Sequence, residues 1–322
     1  MADSWILNNR EHEGSYWYGR ATIYEGYEAA YSLYGNETLL EWYRSQIDDV
    51  VVAPDGSIVD FNQTYYSLDD YRIGNNILYW YERTDEDKYR LAADRIRAML
   101  DRHPRTETGD SGTGSRIIRI RYIVLQWDKI EAVTRDPGGT GLLVHGFDES
   151  KTAVWADPVT GASPLVWNRA VGWYFVSLIE VLDIYPKDLP GYKQLLECYK
   201  RLAKAILRAQ DRRTDGWWLI LSKHSAAAMF TYGWLAGLRR GYLDKRTFSR
   251  PATKAYRHLI DDFVTKHRNG TLTWEGTVQV GSLNSDASFE YYVSIPVVPN
   301  DTRSVGPFLL ASYEWELQQK RS

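Results

Sequence analysis

The chain has 322 residues, a formal net charge of −3, 25% charged residues and 44% apolar residues. That balance excludes a basic nucleic-acid tail or a basic membrane patch, and no stretch of roughly 18 apolar residues is present to span a bilayer. The one cysteine, Cys198, excludes an intrachain disulfide and a thiolate metal site.

Residues 3–9 read as the end of a first helix. Ile23, Tyr27, Ala30, Tyr31 and Tyr34 form one stripe of a helix over 20–34, which Gly35-Asn36 stops. Leu40, Tyr43 and Ile47 mark a partner over 37–49, and Pro54-Asp55-Gly56 makes a turn. Helices follow over 69–83 and 86–102, the second ended by Pro104. The run 109–122, Gly-Asp-Ser-Gly-Thr-Gly-Ser-Arg-Ile-Ile-Arg-Ile-Arg-Tyr, is out of character and reads as a surface loop and an edge strand. Helices resume over 123–135, 167–184, 191–209, 224–239, 249–266 and 304–317. Cys198 falls inside one of these patterns, as a packed core thiol. Residues 271–296, with Gly281 and Pro296, read as short strands and loops. About eleven helices with short loops, no linker and no fixed period point to an all-α protein: a single domain over 1–322, built as a closed toroid of helical hairpins.

Aromatic residues make up 14% of the chain, with 13 Trp and 24 Tyr. Such rings either fill a core or stack on sugar faces in a cleft, and composition leaves both readings open. The densest polar and aromatic group lies at the start of the helix over 167–184, where Trp167, Arg169 and Trp173 follow a run that carries His145, Asp148, Trp155 and Asp157. A guanidinium among indoles can hold a carboxylate bidentately while the rings stack on a sugar. Asp69 and Asp70 open another helix. Structurally, they suit its dipole, with Ser67 and Asp70 as a capping box. Functionally, one of them points into a cleft as an acid, a base or a hydroxyl anchor. Gly74, one turn on, permits close approach of a substrate or a neighbouring helix. Asn300-Asp301-Thr302 looks like the cap of the last helix. Metal-ligand spacing, serine nucleophile elbows and phosphate-binding glycine loops are absent from the sequence.

Val-Trp-Asn-Arg-Ala-Val-Gly-Trp, ending at Trp173, resembles the Trp-x-Arg-x-x-Gly-Trp signature of the unsaturated glucuronyl and rhamnogalacturonyl hydrolases, glycoside hydrolase families 88 and 105. The resemblance is strongest to the fungal-type rhamnogalacturonyl hydrolases. It continues through Asp69 to Gly74, His103-Pro104-Arg105-Thr106, His145-Gly-Phe-Asp148, Trp155-Ala-Asp157, Arg239 to Leu243 and Phe289 to Asp301, and so covers nearly the whole chain. It implies an (α/α)6 toroid and hydrolysis of oligosaccharides that carry a 4,5-unsaturated uronic acid at the non-reducing end, without a cofactor. In the implied mechanism an aspartic acid protonates the enol-ether double bond, water adds at C5, and the hemiketal collapses to break the glycosidic bond. Asp69 matches the first functional aspartate of the family. His145, Trp167, Arg169 and Trp173 match its substrate-binding positions.

Two segments depart from the family pattern. After the His-Pro-Arg-Thr loop the family has a helix that bears its principal acid/base aspartate, and here the replacement run 109–122 stands in its place. A Gly-Asn-Tyr-x-Glu segment is also missing after Gly216-Trp217-Trp218. Both losses look like a mis-spliced or mis-predicted gene and leave a toroid short of about one helix. The expectation is therefore a hydrolase by descent with little turnover, or a non-catalytic saccharide-binding protein; a helical scaffold would explain the helices but not the Trp/Arg/His cluster. The expected partner is an unsaturated uronyl oligosaccharide, with no nucleic acid and no membrane. The N-terminal residues show no signal peptide, which gives a cytoplasmic default. A lost leader would make the protein secreted and give meaning to the sequons at Asn36, Asn62, Asn269 and Asn300.

Overall fold

A computed structural model of the protein describes residues 1–8, 17–104, 116–217 and 225–320. The helices are α1 (Ala2–Asn8), α2 (Trp17–Tyr34), α3 (Glu37–Gln46), α4 (Leu68–Tyr71), α5 (Ile73–Thr84), α6 (Asp87–Arg102), α7 (Arg116–Thr134), α8 (Asn168–Ile184), α9 (Tyr192–Ala209), α10 (Ser225–Arg239), α11 (Lys245–Phe263), α12 (Phe289–Ser294) and α13 (Thr302–Gln319). A π-helical turn, Ile47–Val51, prolongs α3. Strand β1 (Val264–Lys266) pairs antiparallel with β2 (Leu272–Trp274), with Val264 opposite Trp274. Strand β3 (Thr277–Val278) pairs with β4 (Val297–Val298), with Thr277 opposite Val298.

The apolar pattern sorts the helices into two layers. Helix α9 buries one stripe, including Tyr192, Leu195, Tyr199, Leu202 and Ile206, and α6 buries Tyr89, Ala92, Ile96 and Met99. Such single-stripe helices lie outside, with their charged faces to solvent. Helices α8, α10 and α13 are buried nearly all round, as in Val171, Phe175, Leu178, Ile179 and Leu182 of α8 and in Ala226 to Ala228, Phe230, Trp234 and Leu235 of α10. They form an inner layer in which α5 packs on α2, α2 on α13, α13 on α10, and α10 on α8. Outer helices α3, α6, α9 and α11 pack on α2, α5, α8 and α10 in turn, while α7 lies against α9. This is the helical toroid that the periodicity implies. Between α8 and α5 the described residues supply no further inner helix. Close inner packing depends on small residues: a Cβ on Gly306 of α13 would stand 2.3 Å from the Thr22 carbonyl oxygen of α2.

Several local expectations are corrected. Residues 116–122 belong to helix α7 rather than to an edge strand, and 109–115 lie outside the described residues. Each β-branched Ile costs a helix only a few tenths of a kcal/mol, and the Arg residues between them are good helix formers. Helix α11 begins at Lys245, where the Asp244 carboxylate accepts the Thr247 N–H, and it ends at Phe263, giving way to β1. The loop region 271–296 also contains α12, capped by the Ser288 hydroxyl, which accepts the Tyr291 N–H. Ser67 precedes α4 in an extended conformation but its side chain makes no capping bond. The Asp301 cap of α13 is present, with its carboxylate accepting the Arg303 N–H. Gly74 faces α6, where a Cβ would meet Ile96 Cγ2 at 3.3 Å. Cys198 is a buried thiol; its Sγ donates to Glu131 at 2.8 Å, and burial together with that bond pushes it up to about 12.

Candidate active site

One cavity of about 460 Å³ lies at the N-terminal ends of α4 and α8, a size that suits a small ligand. Asp69, His145, Trp167, Arg169 and Trp173, all singled out from the sequence, line it together with Tyr18, Arg72, Ser177 and Gly281. They converge from five parts of the chain, with Tyr18 supplied by α2. Helix α4 delivers Asp69, the helical start of α8 delivers Trp167 to Ser177, a loop delivers His145, and the segment after β3 delivers Gly281.

The wall opposite α4 has its own small core. Trp167, Val278, Ala287, Tyr292 and Ile295 are buried together, with Trp155, Leu165, Leu283 and Tyr291 packed around them. The Trp167 and Tyr292 rings lie 4.5 Å apart, and Trp155 Nε1 donates to the Leu283 carbonyl at 2.7 Å. Of the run that carries His145, Asp148, Trp155 and Asp157, only His145 reaches the cavity. Asp148 instead accepts the N–H groups of Ser150, Thr152 and Ala153, and Asp157 those of Val159 and Thr160, so both fold the loop.

Arg169 does not hold the open fork that its motif suggests. Its guanidinium is buried and donates to the backbone carbonyls of Val278 at 2.6 Å and Gln279 at 2.7 Å. Two of its five donors therefore pin the segment that brings Val280 and Gly281 to the cavity. Burial, and then the nearby Arg303, lowers its affinity for its proton, to about 10. It remains cationic at neutral pH and lies 5.4 Å from the Trp167 ring centre.

Arg72, which the sequence left without a role, occupies the other side. It pairs with Glu25 of α2 at 2.5 Å and Glu180 of α8 at 3.4 Å, and stacks 5.3 Å from the Trp173 ring centre. Burial opposes its charge, but the two carboxylates outweigh that and hold the guanidinium above its ordinary value. Burial lifts Glu180 to about 7, against the pull of Arg72. The ring of Tyr18 meets Trp173 edge-on at 6.1 Å. No local motif announces Arg72, because its partners lie 47 and 108 residues away.

Asp69 opens to solvent at the cavity and its carboxylate accepts no hydrogen bond among the described residues. Surrounding protein raises its pKa above the usual carboxylate range, and Arg72 partly offsets that. Asp70 is also raised, by burial and then by Asp69. His145 packs against the Trp167–Tyr292 ring pair, 5.9 Å from Trp167 and 5.4 Å from Tyr292, and its Nδ1 is hydrogen-bonded to the Tyr292 hydroxyl. Burial, then Arg169, lowers it to about 4, so it is neutral at physiological pH. The site thus combines one accessible carboxyl of raised pKa, a neutral imidazole, indole faces and two guanidinium groups. Among the described residues no group of three or more His, Cys, Asp or Glu side chains could hold a metal ion.

A toroid of helical hairpins with an aromatic, cationic cavity at the helix ends is an architecture found among glycoside hydrolases. The chain belongs to glycosyl hydrolase family 88, whose profile matches residues 119–318. It is similar to a family 105 glycoside hydrolase of Clostridium acetobutylicum, with a TM-score of 0.91 and 27% identity over 98% of this chain and 99% of that one. A protein of Agrobacterium fabrum is 32% identical over 207 residues, 59% of this chain and 87% of that protein. An unsaturated 3S-rhamnoglycuronyl hydrolase of Formosa agariphila is 25% identical over 159 residues, 47% of this chain and 38% of that protein.

Proposed function

We propose that the cavity receives the 4,5-unsaturated uronyl residue at the non-reducing end of an oligosaccharide and that the protein hydrolyses its glycosidic bond by hydrating the double bond. The observation that carries this reading is the convergence of Asp69, His145, Trp167, Arg169 and Trp173 on one cavity. The similarity to an unsaturated rhamnoglycuronyl hydrolase supports the substrate class. Trp167 and Trp173 offer faces to a flattened sugar ring, and the cationic wall of Arg72 and Arg169 favours its carboxylate. Asp69 is the acid: the surrounding protein raises its pKa, which favours the protonated form, and its unbonded carboxyl is free to give that proton to C4 of the enol ether. Water then adds at C5, the proton it sheds goes to a base, and the resulting hemiketal opens with release of the leaving saccharide.

We infer that the aspartate borne by the family's helix after the His-Pro-Arg-Thr loop has no counterpart here; the lack of a described inner helix between α8 and α5 supports that reading. We infer that 109–122 replaces that helix and that turnover rests on Asp69 alone. Loss of one acid/base group slows such reactions by on the order of 10²–10⁴-fold. The second reading, a saccharide-binding protein without turnover, draws on the same missing aspartate. Lyase-treated pectin fragments separate the two through the ultraviolet absorbance of the conjugated double bond. Slow loss of absorbance that Asp69→Asn abolishes supports the hydrolase. Calorimetric binding of an unsaturated disaccharide without any loss supports the binder, and neither signal would overturn both.

A further inference from the structure

Tyr292 is a residue the reaction does not call for, on a short helix that the sequence pattern does not announce. Its hydroxyl meets His145 Nδ1 across 147 residues of sequence, and the rings lie 5.4 Å apart at 62°. The hydroxyl has no other partner among the described residues, and neither does Nδ1. The remaining ring nitrogen, Nε2, is neither bonded to a described residue nor sealed from solvent, and His145 lines the cavity.

We propose that Tyr292 is a positioning residue that fixes His145 as the neutral tautomer with its proton on Nε2, so that the cavity meets a directed N–H donor. The bond between the two rings allows two arrangements: the phenol donates to a bare Nδ1, or Nδ1–H donates to the phenol oxygen. A phenol is the stronger donor and a bare imidazole nitrogen the stronger acceptor. The second arrangement would also leave the phenol proton of a buried side chain without a protein acceptor. The adjoining Trp167 and Tyr292 rings crowd the imidazole, and the bond to the Tyr292 hydroxyl resists the ring turn that would exchange its nitrogens. Burial beside the Arg169 cation keeps the imidazole uncharged. A neutral donor adds no further positive charge to a wall that already holds Arg72 and Arg169; what it adds is direction. Its acceptor is an oxygen of an acidic saccharide, a ligand clause that rests on the function proposed above.

The test is long-range ¹⁵N–¹H NMR of the histidine rings in the full-length protein at neutral pH, with the His145 signals assigned by their loss in His145→Gln. Wild type should show one tautomer, with the proton on Nε2 and Nδ1 bare but hydrogen-bonded. In Tyr292→Phe the Nδ1 resonance should move to its unbonded position and the second tautomer should appear. A proton on Nδ1 in wild type, an imidazolium at neutral pH, or ring resonances unmoved by Tyr292→Phe would each overturn the assignment. The wild-type spectrum decides the matter even if Tyr292→Phe does not fold. Calorimetry with an unsaturated uronyl disaccharide gives the separate answer on function. With the tautomer confirmed, binding several-fold weaker in Tyr292→Phe supports the ligand clause, and no binding by either protein removes the saccharide reading while the tautomer stands.

Discussion

At the scale of single residues, the cavity separates groups that act on a ligand from groups that hold the cavity together. On the proposed function Asp69 belongs to the first kind, and Asp69→Asn should remove turnover while leaving saccharide affinity within a few-fold, read as kcat against KM. Arg169 also belongs to the second kind. Lysine in its place cannot reach both the Val278 and Gln279 carbonyls. Arg169→Lys should cost about 1.5–3 kcal/mol in denaturant unfolding, with faster hydrogen exchange over 277–281. His145 ties stability to pH. Its folded value of about 4 lies below the ordinary 6.5, so the unfolded chain binds the proton more readily. Its contribution is complete above pH 6.5 and is lost as the pH falls toward 4, a change of about 3 kcal/mol at most. Unfolding curves of wild type and His145→Gln should therefore converge as the pH drops through that window. Five of these side chains were legible in the sequence because a motif carried them. Arg72 and Tyr292 lay within resembling segments without a role, and Tyr18 outside them, since each acquires its meaning from a partner that only the folded chain brings near.

Among the elements, helices with a clear stripe were legible to within a few residues. Helix α9 is amphipathic, and Gly191 before it and Gln210 after it bound the pattern. The misread elements are those whose local signals compete. In α7, Ile117, Ile118 and Ile120 suggested a strand, yet they continue into a long helical segment. In α11 the pattern was read only from residue 249, although the Asp244 cap sets the start four residues earlier, at Lys245. Periodicity also did not say which helices lie inside, because α8 and α10 carry apolar residues on every face and their neighbours are remote in sequence. The close approach of α2 and α13 can be probed directly. Gly306→Ala would press a methyl group into the Thr22 carbonyl, which belongs to backbone and cannot swing away. Overpacking of this kind costs about 1–3 kcal/mol, measurable as a lower denaturation midpoint with an unchanged m-value.

For the whole molecule, the ring order was not written in any local pattern, but its outcome was: repeated helical hairpins without a fixed period close on themselves. The closing contact joins the two ends of the chain. Helix α13 packs between α2 and α10, Trp5 Nε1 donates to the Asn300 carbonyl at 2.7 Å, and the Leu272 N–H donates to Ser4 at 3.0 Å. That single seam sets the timetable of folding. During synthesis α2 emerges early and waits for a partner made near the end, so its Thr22 face stays uncovered until α13 has left the ribosome. Contacts of such long sequence separation delay completion and leave apolar surface open to chaperones or to other chains. Nascent chains arrested before Thr302 should be cut rapidly by protease within α2, and released full-length chains should resist.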